Sequence, residues 1–314
     1  MALQPISFPI DQPVMPEDRQ IGRKPSIDRL ERRLAGAVHQ WILGERRIGK
    51  TSVAKAALAR LRKQGTIALD VDLSKLALSS PEALAGELAR QAQAAGAGDP
   101  KQAVERFFRV AKKQKGIVRG LGRVLGELGY EDAADASAAV SALLAGADDG
   151  APGLDKVLGA ISLNARATER RACILVDEVH LLADLDGAEE QMASRCREAD
   201  SPIVFIFAGS EESSARALRE QGRPLAAVGE EFEVSEIAVE EWLLGLASRF
   251  EEAGIKIGEE ELSAMLIASE SHPRRTMLIS SRVRASAEGQ PDRIATPTLV
   301  ELAIREAEGD LSWR

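Results

Sequence analysis

The chain has 314 residues, of which 45% are hydrophobic and 29% charged, with a net charge of −8 at pH 7. That length accommodates one large domain plus a small one, and the composition is that of a soluble globular protein. The acidic balance argues against a uniformly basic nucleic-acid binder, though not against a local basic patch, and the lack of any run of 18 apolar residues argues against a membrane span.

Residues 1–20, "MALQPISFPIDQPVMPEDRQ", carry prolines and acids but not the apolar core of a signal peptide, and read as an extended arm. "PSIDRLERRLA" (25–35) reads as a short helix. "HQWILG" (39–44) is a compact apolar run ending in glycine, as a buried parallel strand would be. "KTSVAKAALARLRKQG" then reads as a helix stopped by Gly65. A second strand is expected at 66–73, followed by a helix with Pro81 in its first turn. Residues 97–152 hold glycines, alanines and a basic cluster without a clear strand, and are expected to be a helical insertion. Helix returns at 154–167. Buried strands are expected at 172–178 and 202–210, and a fifth at 230–237. Beyond that point the strands are expected to stop, with helices at 238–253, 259–270, 273–288 and 296–307. Strands alternating with helices imply an α/β fold with a five-stranded parallel sheet. The expected division is an ATPase-like domain at 1–237 and an all-α lid domain at 238–314. Cys173 falls in a strand and Cys196 in a helix, without metal-ligand spacing or a disulfide framework. A reducing, cytoplasmic compartment is therefore expected.

Between the first strand and its helix, Gly44 to Thr51 fit G-x-x-x-x-G-K-[ST]. A triphosphate is dense negative charge, and backbone N–H groups at a helix start offset it at close range. Side chains would block that approach, so glycines are needed at the bends. Gly44 opens the turn and Gly49 closes it. Lys50 reaches the β- and γ-phosphates, and Thr51 offers a hydroxyl to Mg2+. The loop residues Gly44, Glu45, Arg46, Arg47, Ile48, Gly49, Lys50, Thr51 and Ser52 are thus expected to hold ATP. "CILVDEVH" supplies the second part: an apolar strand delivers Asp177, as a ligand to Mg2+, and Glu178, which polarises the attacking water. The two carboxylates are adjacent, so both reach the site only if the chain turns at the strand end. Ser210, after "FIFAG", falls at the same edge, either positioning that water or capping the helix that follows.

Together these segments resemble the AAA+ ATPases, within the group of archaeal-type ATPases, STAND proteins and origin-recognition-type initiators. "IGRKPSIDRLERRLA" is similar to the segment that borders the adenine there, which would put Ile21, Gly22 and Arg23 near the base. "GERRIGKTS" and "ILVDEVH" match the group's Walker A and Walker B patterns, and Ser210 falls where its sensor 1 belongs. "SHPRRTMLIS" looks like its sensor 2 segment, which implies Arg274, with Arg275 in reserve, as an arginine brought from the lid to the phosphates. Ser271 stands where that pattern has glycine. Val228 stands where many relatives carry an arginine that acts across a subunit interface, which leaves Arg219 or Arg223 for that role. The resemblance implies an ATP- and Mg2+-dependent ATPase that assembles with copies of itself or with a partner protein. The alternative within the group is a signalling ATPase acting on a protein without nucleic acid.

Residues 101–123 carry eight Lys or Arg against one Glu, a local charge of +7. Arg106, Arg109 and Lys113 share one helix face. That face is a solvated surface, a phosphate-backbone contact to RNA or DNA (double-stranded DNA included), or a docking helix for a membrane surface or partner. "DEVH" also has the form of a helicase D-E-x-H, but only one recombinase-like core fits the chain. A small-molecule kinase fits poorly with the acidic pair and the helical lid.

Overall fold

The computed structural model describes residues 8, 20–76, 80–95, 153–209 and 217–310. The expected insertion at 97–152 with Arg106, Arg109 and Lys113, most of the arm, and Ser210 lie outside the described residues. The chain divides into two compact units. One comprises Arg29–Glu45 and Ala57–Glu233, the other Met1–Asp28, Arg46–Ala56 and Val234–Arg314. Helices α1 (Lys24–Ala35) and α2 (Lys50–Lys63) contribute residues to both.

The first unit is built on five parallel strands: β1 (Gln40–Ile42), β2 (Ile67–Asp72), β3 (Ala172–Asp177), β4 (Ile203–Ala208) and β5 (Glu230–Glu231). Their spatial order is β2-β3-β4-β1-β5. Every residue of β3 and of β4 is buried, so both read as unbroken apolar runs rather than alternating ones. Strand β2, at one edge, admits partial exposure at Asp70 and Asp72. Helices α3 (Pro81–Ala94), α4 (Leu154–Ala167) and α5 (Ala188–Arg197) also belong to this unit. At the start of α3, Ser80 Oγ accepts from Ala83 N–H at 3.2 Å, and Pro81 occupies the first turn, where a missing N–H costs nothing. In the core, the rings of Phe205 and Phe207 stack at 5.5 Å, and Trp41 meets Phe207 at 4.6 Å. The Trp41 indole N–H donates to Val228 carbonyl at 2.7 Å, so this large side chain is buried without an orphaned donor.

The fifth strand is shorter than the sequence suggests. Strand β1 spans three residues, and β5 pairs with its Gln40 and Trp41. After Glu231 one further bond forms, from Phe232 N–H to Trp41 carbonyl at 2.7 Å, and the chain then leaves the sheet.

In the second unit, α6 (Val239–Glu252), α7 (Glu259–Ala268), α8 (Pro273–Glu288) and α9 (Pro297–Glu308) surround a core of Trp242, Leu246, Phe250, Met265, Ile279 and Val283. Phe8 joins that core at 5.0 Å from the Phe250 ring, with the Arg249 guanidinium over its face. The expected all-α tail is corrected in one respect. Strands β6 (Lys256–Ile257) and β7 (Ile294–Ala295) pair in parallel, because the segments entering α7 and α9 run side by side and satisfy each other's backbone groups. Among the described residues no helix is long and apolar enough to cross a membrane.

Candidate functional site

The C-terminal edge of the sheet gathers the chemistry of the first unit. The register pairs Val176 with Phe207, Phe207 with Trp41, and Ala208 with Ile42. Asp177 at the end of β3 is thus two strands from the end of β1, a separation of about 10 Å at the usual strand spacing. Between them, Gly209 N–H donates to Ile42 carbonyl at 3.2 Å, holding the exit of β4 against that of β1. In open α/β sheets ligands sit at this edge.

Asp177 is buried, and its Oδ1 accepts from Glu178 N–H at 3.1 Å. Glu178 takes φ 53 and ψ 44, a left-handed conformation that a non-glycine residue pays for. This is the turn that two adjacent carboxylates need in order to face one site. A 3-10 turn (Val179–Asp184) follows, with Val179 and Leu182 buried beneath it. It places His180 Nδ1 3.4 Å from Glu178 Oε2.

The phosphate loop leaves β1 through Gly44 at φ +142, passes Arg47 at φ +66 and closes at Gly49 at φ +103 before α2 begins at Lys50. Nothing lies within 4 Å of where a Gly44 side chain would begin. The glycine there is required by the backbone angle rather than by crowding. Glu45, Arg46 and Arg47 are exposed, Ile48, Gly49, Thr51 and Ser52 half-buried, and Lys50 buried.

Within the second unit, Ile21, Gly22 and Arg23 are pinned to the phosphate loop and to the entry of α6. Gln20 Nε2 donates to Ser52 carbonyl at 2.9 Å. Arg23 donates to the carbonyls of Ile48 and Ser235. Its burial pulls the guanidinium pKa down to about 10. Gly22 sits at φ +62, and a Cβ there would come within 2.4 Å of Ile237 Cγ2. Ile21 packs so closely on Gly245 that any side chain at 245 would collide with it.

The two arginines expected of a sensor 2 segment part company. Arg274 is buried, whereas Arg275 pairs with Glu270 at 2.6 Å. In the turn before them, Glu270 and Ser271 take φ 53 and 55. Ser271 thus adopts the left-handed conformation that favours glycine, the residue this position has in the resembling pattern. Arg219 and Arg223 are engaged within the first unit. Arg219 pairs with Glu231 and lies over the Trp41 ring, and Arg223 pairs with Glu189 at 2.5 Å.

Sequence reading missed Asp72 and Lys75. Asp72 ends β2 in register with Asp177, so two carboxylates stand side by side. Lys75 Nζ reaches Asp72 at 2.7 Å. Desolvation works to raise the Asp72 pKa, but hydrogen bonds from Lys75 and Ser74 outweigh it and hold the carboxyl below its ordinary range. Lys75 is raised in turn by its hydrogen bond to Asp72, with a smaller contribution from the charge of Asp177. An acidic residue ending an apolar strand was the available signal, but only the strand register shows which strand end it joins.

This sheet order, with a glycine loop after β1 and a carboxylate pair after β3, is a P-loop NTPase fold. The solved structures that share it include these three. The Walker-type ATPase of Pyrococcus abyssi is 16% identical, with a TM-score of 0.62 over 97% of this chain and 78% of that one. The ORC2 protein of Aeropyrum pernix in its ADP form is 16% identical, with a TM-score of 0.60 over 95% and 71%. The ORC1 protein of Aeropyrum pernix in complex with DNA is 16% identical, with a TM-score of 0.55 over 94% and 68%. No protein-family model and no curated protein matches the sequence.

Proposed function

We propose that the chain binds ATP with Mg2+ and hydrolyses it as a molecular switch that assembles or remodels a partner complex on double-stranded DNA. The observation that carries this reading is the carboxylate pair at the C-terminal edge of the sheet, where a left-handed Glu178 follows a buried Asp177. Among the described residues no group of three or more His, Cys, Asp or Glu could hold a metal by itself. Mg2+ is usually held by one or two carboxylates and substrate phosphates. Asp177 and the Thr51 hydroxyl would hold it, and it would supply neutralisation of phosphate charge.

The loop N–H groups from Gly44 to Ser52 bind the phosphates, and Lys50 stabilises charge on the γ-phosphate. Ile21, Gly22 and Arg23 border the base. Glu178 accepts the proton of the attacking water as the bond from the γ-phosphorus to the β–γ bridging oxygen breaks, giving ADP and phosphate. Ser210 orients that water. Arg274, from a lid at 238–314, couples the phosphate state to the lid of an ATPase domain at 1–237. With Arg219 and Arg223 engaged and Val228 in the usual arginine's place, turnover by the isolated chain is slow and is raised by a second copy or a partner. DNA enters this reading through Arg106, Arg109 and Lys113 and through the likeness in fold to a protein solved in complex with DNA.

The test is phosphate release from ATP with and without double-stranded DNA, with Glu178→Gln as the blank. Stimulation that is weakened by neutralising Arg106, Arg109 and Lys113 supports the DNA reading. Hydrolysis indifferent to DNA moves the protein to a signalling ATPase acting on a protein partner. No release above the Glu178→Gln blank overturns hydrolysis itself.

A further inference from the structure

We propose that His180 is a positioning residue for Glu178, an inference that rests on the ATPase reading above. The backbone of Glu178 is fixed on both sides. Its N–H donates to Asp177 Oδ1 at 3.1 Å, and its carbonyl accepts from Leu181 N–H at 3.0 Å. The left-handed φ and ψ are thereby over-determined, and the turn beneath is anchored by Val179 and Leu182, both fully buried. What the backbone does not fix is the Glu178 side chain, which is 40% exposed.

A general base must hold one oxygen within about 3 Å of the water it deprotonates. A glutamate with unrestrained side-chain torsions spends much of its time elsewhere. Among the described residues, the basic group within ion-pair reach of this carboxylate is His180. Its Nδ1 is buried, lies 3.4 Å from Oε2 and makes no hydrogen bond among the described residues. A ring carrying its proton on Nδ1 directs a donor at Oε2 and leaves Oε1 to face water. A small side-chain rotation would close the distance, as base geometry in ligand-free sites commonly requires. The imidazole does not touch the nucleotide in this scheme. It acts by restricting where the carboxylate points.

The test uses the full chain and compares three substitutions. His180→Asn keeps an N–H donor near the Nδ1 position, His180→Gln moves it to the Nε2 position, and His180→Ala removes it. Single-turnover and steady-state phosphate release are read beside binding of a fluorescent ATP analogue and thermal unfolding. A misplaced base costs roughly tenfold or more in rate. His180→Ala and His180→Gln should therefore lose about tenfold in kcat with KM within about twofold, while His180→Asn stays within about threefold of the parent. Equal rates in all four proteins overturn the inference while leaving the ATPase reading intact. A His180→Asn rate as low as that of His180→Ala also overturns it, because a purely structural imidazole is not rescued by one donor position. If the parent binds ATP but hydrolyses no faster than Glu178→Gln, the ATPase reading fails and the inference falls with it.

Discussion

The two edges of the parallel sheet deal with charge differently. At the C-terminal edge Asp72 and Asp177 stand side by side and Glu178 is turned outward, with Lys75 and His180 as side-chain neighbours. At the N-terminal edge a cavity of about 320 Å³ is lined by Gly65, Thr66, Arg170, Arg171 and Cys173 among others. Here the arginines are committed to the chain's own backbone. Arg170 Nε donates to Gly65 carbonyl, and Arg171 Nη1 donates to Ala35 carbonyl at 2.5 Å. Burial pushes the Cys173 thiol pKa up to about 12, which leaves it un-ionised and unreactive near neutral pH. Charges bound to fixed carbonyls stabilise a fold. Charges held by other side chains can be reassigned when a ligand arrives, and this separates the candidate functional edge from the structural one.

The sharpest way to break that comparison is Glu178→Gln. It should lower phosphate release by about 10²- to 10⁴-fold, the usual worth of a general base, while ATP binding and thermal stability persist. Unchanged hydrolysis would remove function from this edge. The converse substitution lies between the edges. Phe205 is fully buried and stacked on Phe207. Phe205→Ala should cost about 3–5 kcal/mol of stability, measured by denaturant unfolding, because it leaves a cavity in a packed core. A cost below about 1 kcal/mol would mean that the core refills the space.

Asp72→Asn should have a smaller effect with a definite pH signature. The folded-state pKa of Asp72 is depressed, so its contribution is present above the unfolded carboxyl value and is lost as pH falls through the folded one. Lys75 is raised, so its contribution is present below the unfolded amine value and is lost as pH rises through the folded one. Lys75 is 74% exposed, which keeps the pair's contribution under about 1 kcal/mol. Unfolding profiles of the parent and Asp72→Asn should differ at neutral pH and converge in acid. A constant offset across pH would mean that Asp72 acts through packing instead.

Much of the fold is legible in the sequence because burial on both faces leaves an unbroken apolar run, as in β3 and β4. The expected helix at 154–167 is observed as Leu154–Ala167. What was not legible depends on partners. The fifth strand stops after pairing with Gln40 and Trp41, and the two-residue ladder of β6 and β7 is too brief to carry a period. In the candidate site, the spacing of Gly44, Gly49 and Lys50 announces the loop, since those residue types have few other uses at that spacing. The adjacency of Asp72 and Asp177 exists only once strand register is set. Phe8 is a lone aromatic in a proline-rich arm, and no sequence pattern distinguishes its burial against Phe250 from a solvated side chain.

The weakest perturbation is the most direct control on the contrast between the edges. Arg171 is exposed, and its guanidinium serves the carbonyl of Ala35, the last residue of α1. Removing it in Arg171→Ala deletes one exposed charge-assisted hydrogen bond and leaves an acceptor that water can satisfy. The expected loss is at most about 1 kcal/mol in unfolding free energy, with phosphate release within about twofold of the parent. A large fall in hydrolysis without a fall in stability would show that the N-terminal edge communicates with the carboxylates. Arginines bound to fixed carbonyls could not then be read as purely structural, and the cavity they line would become part of the working protein.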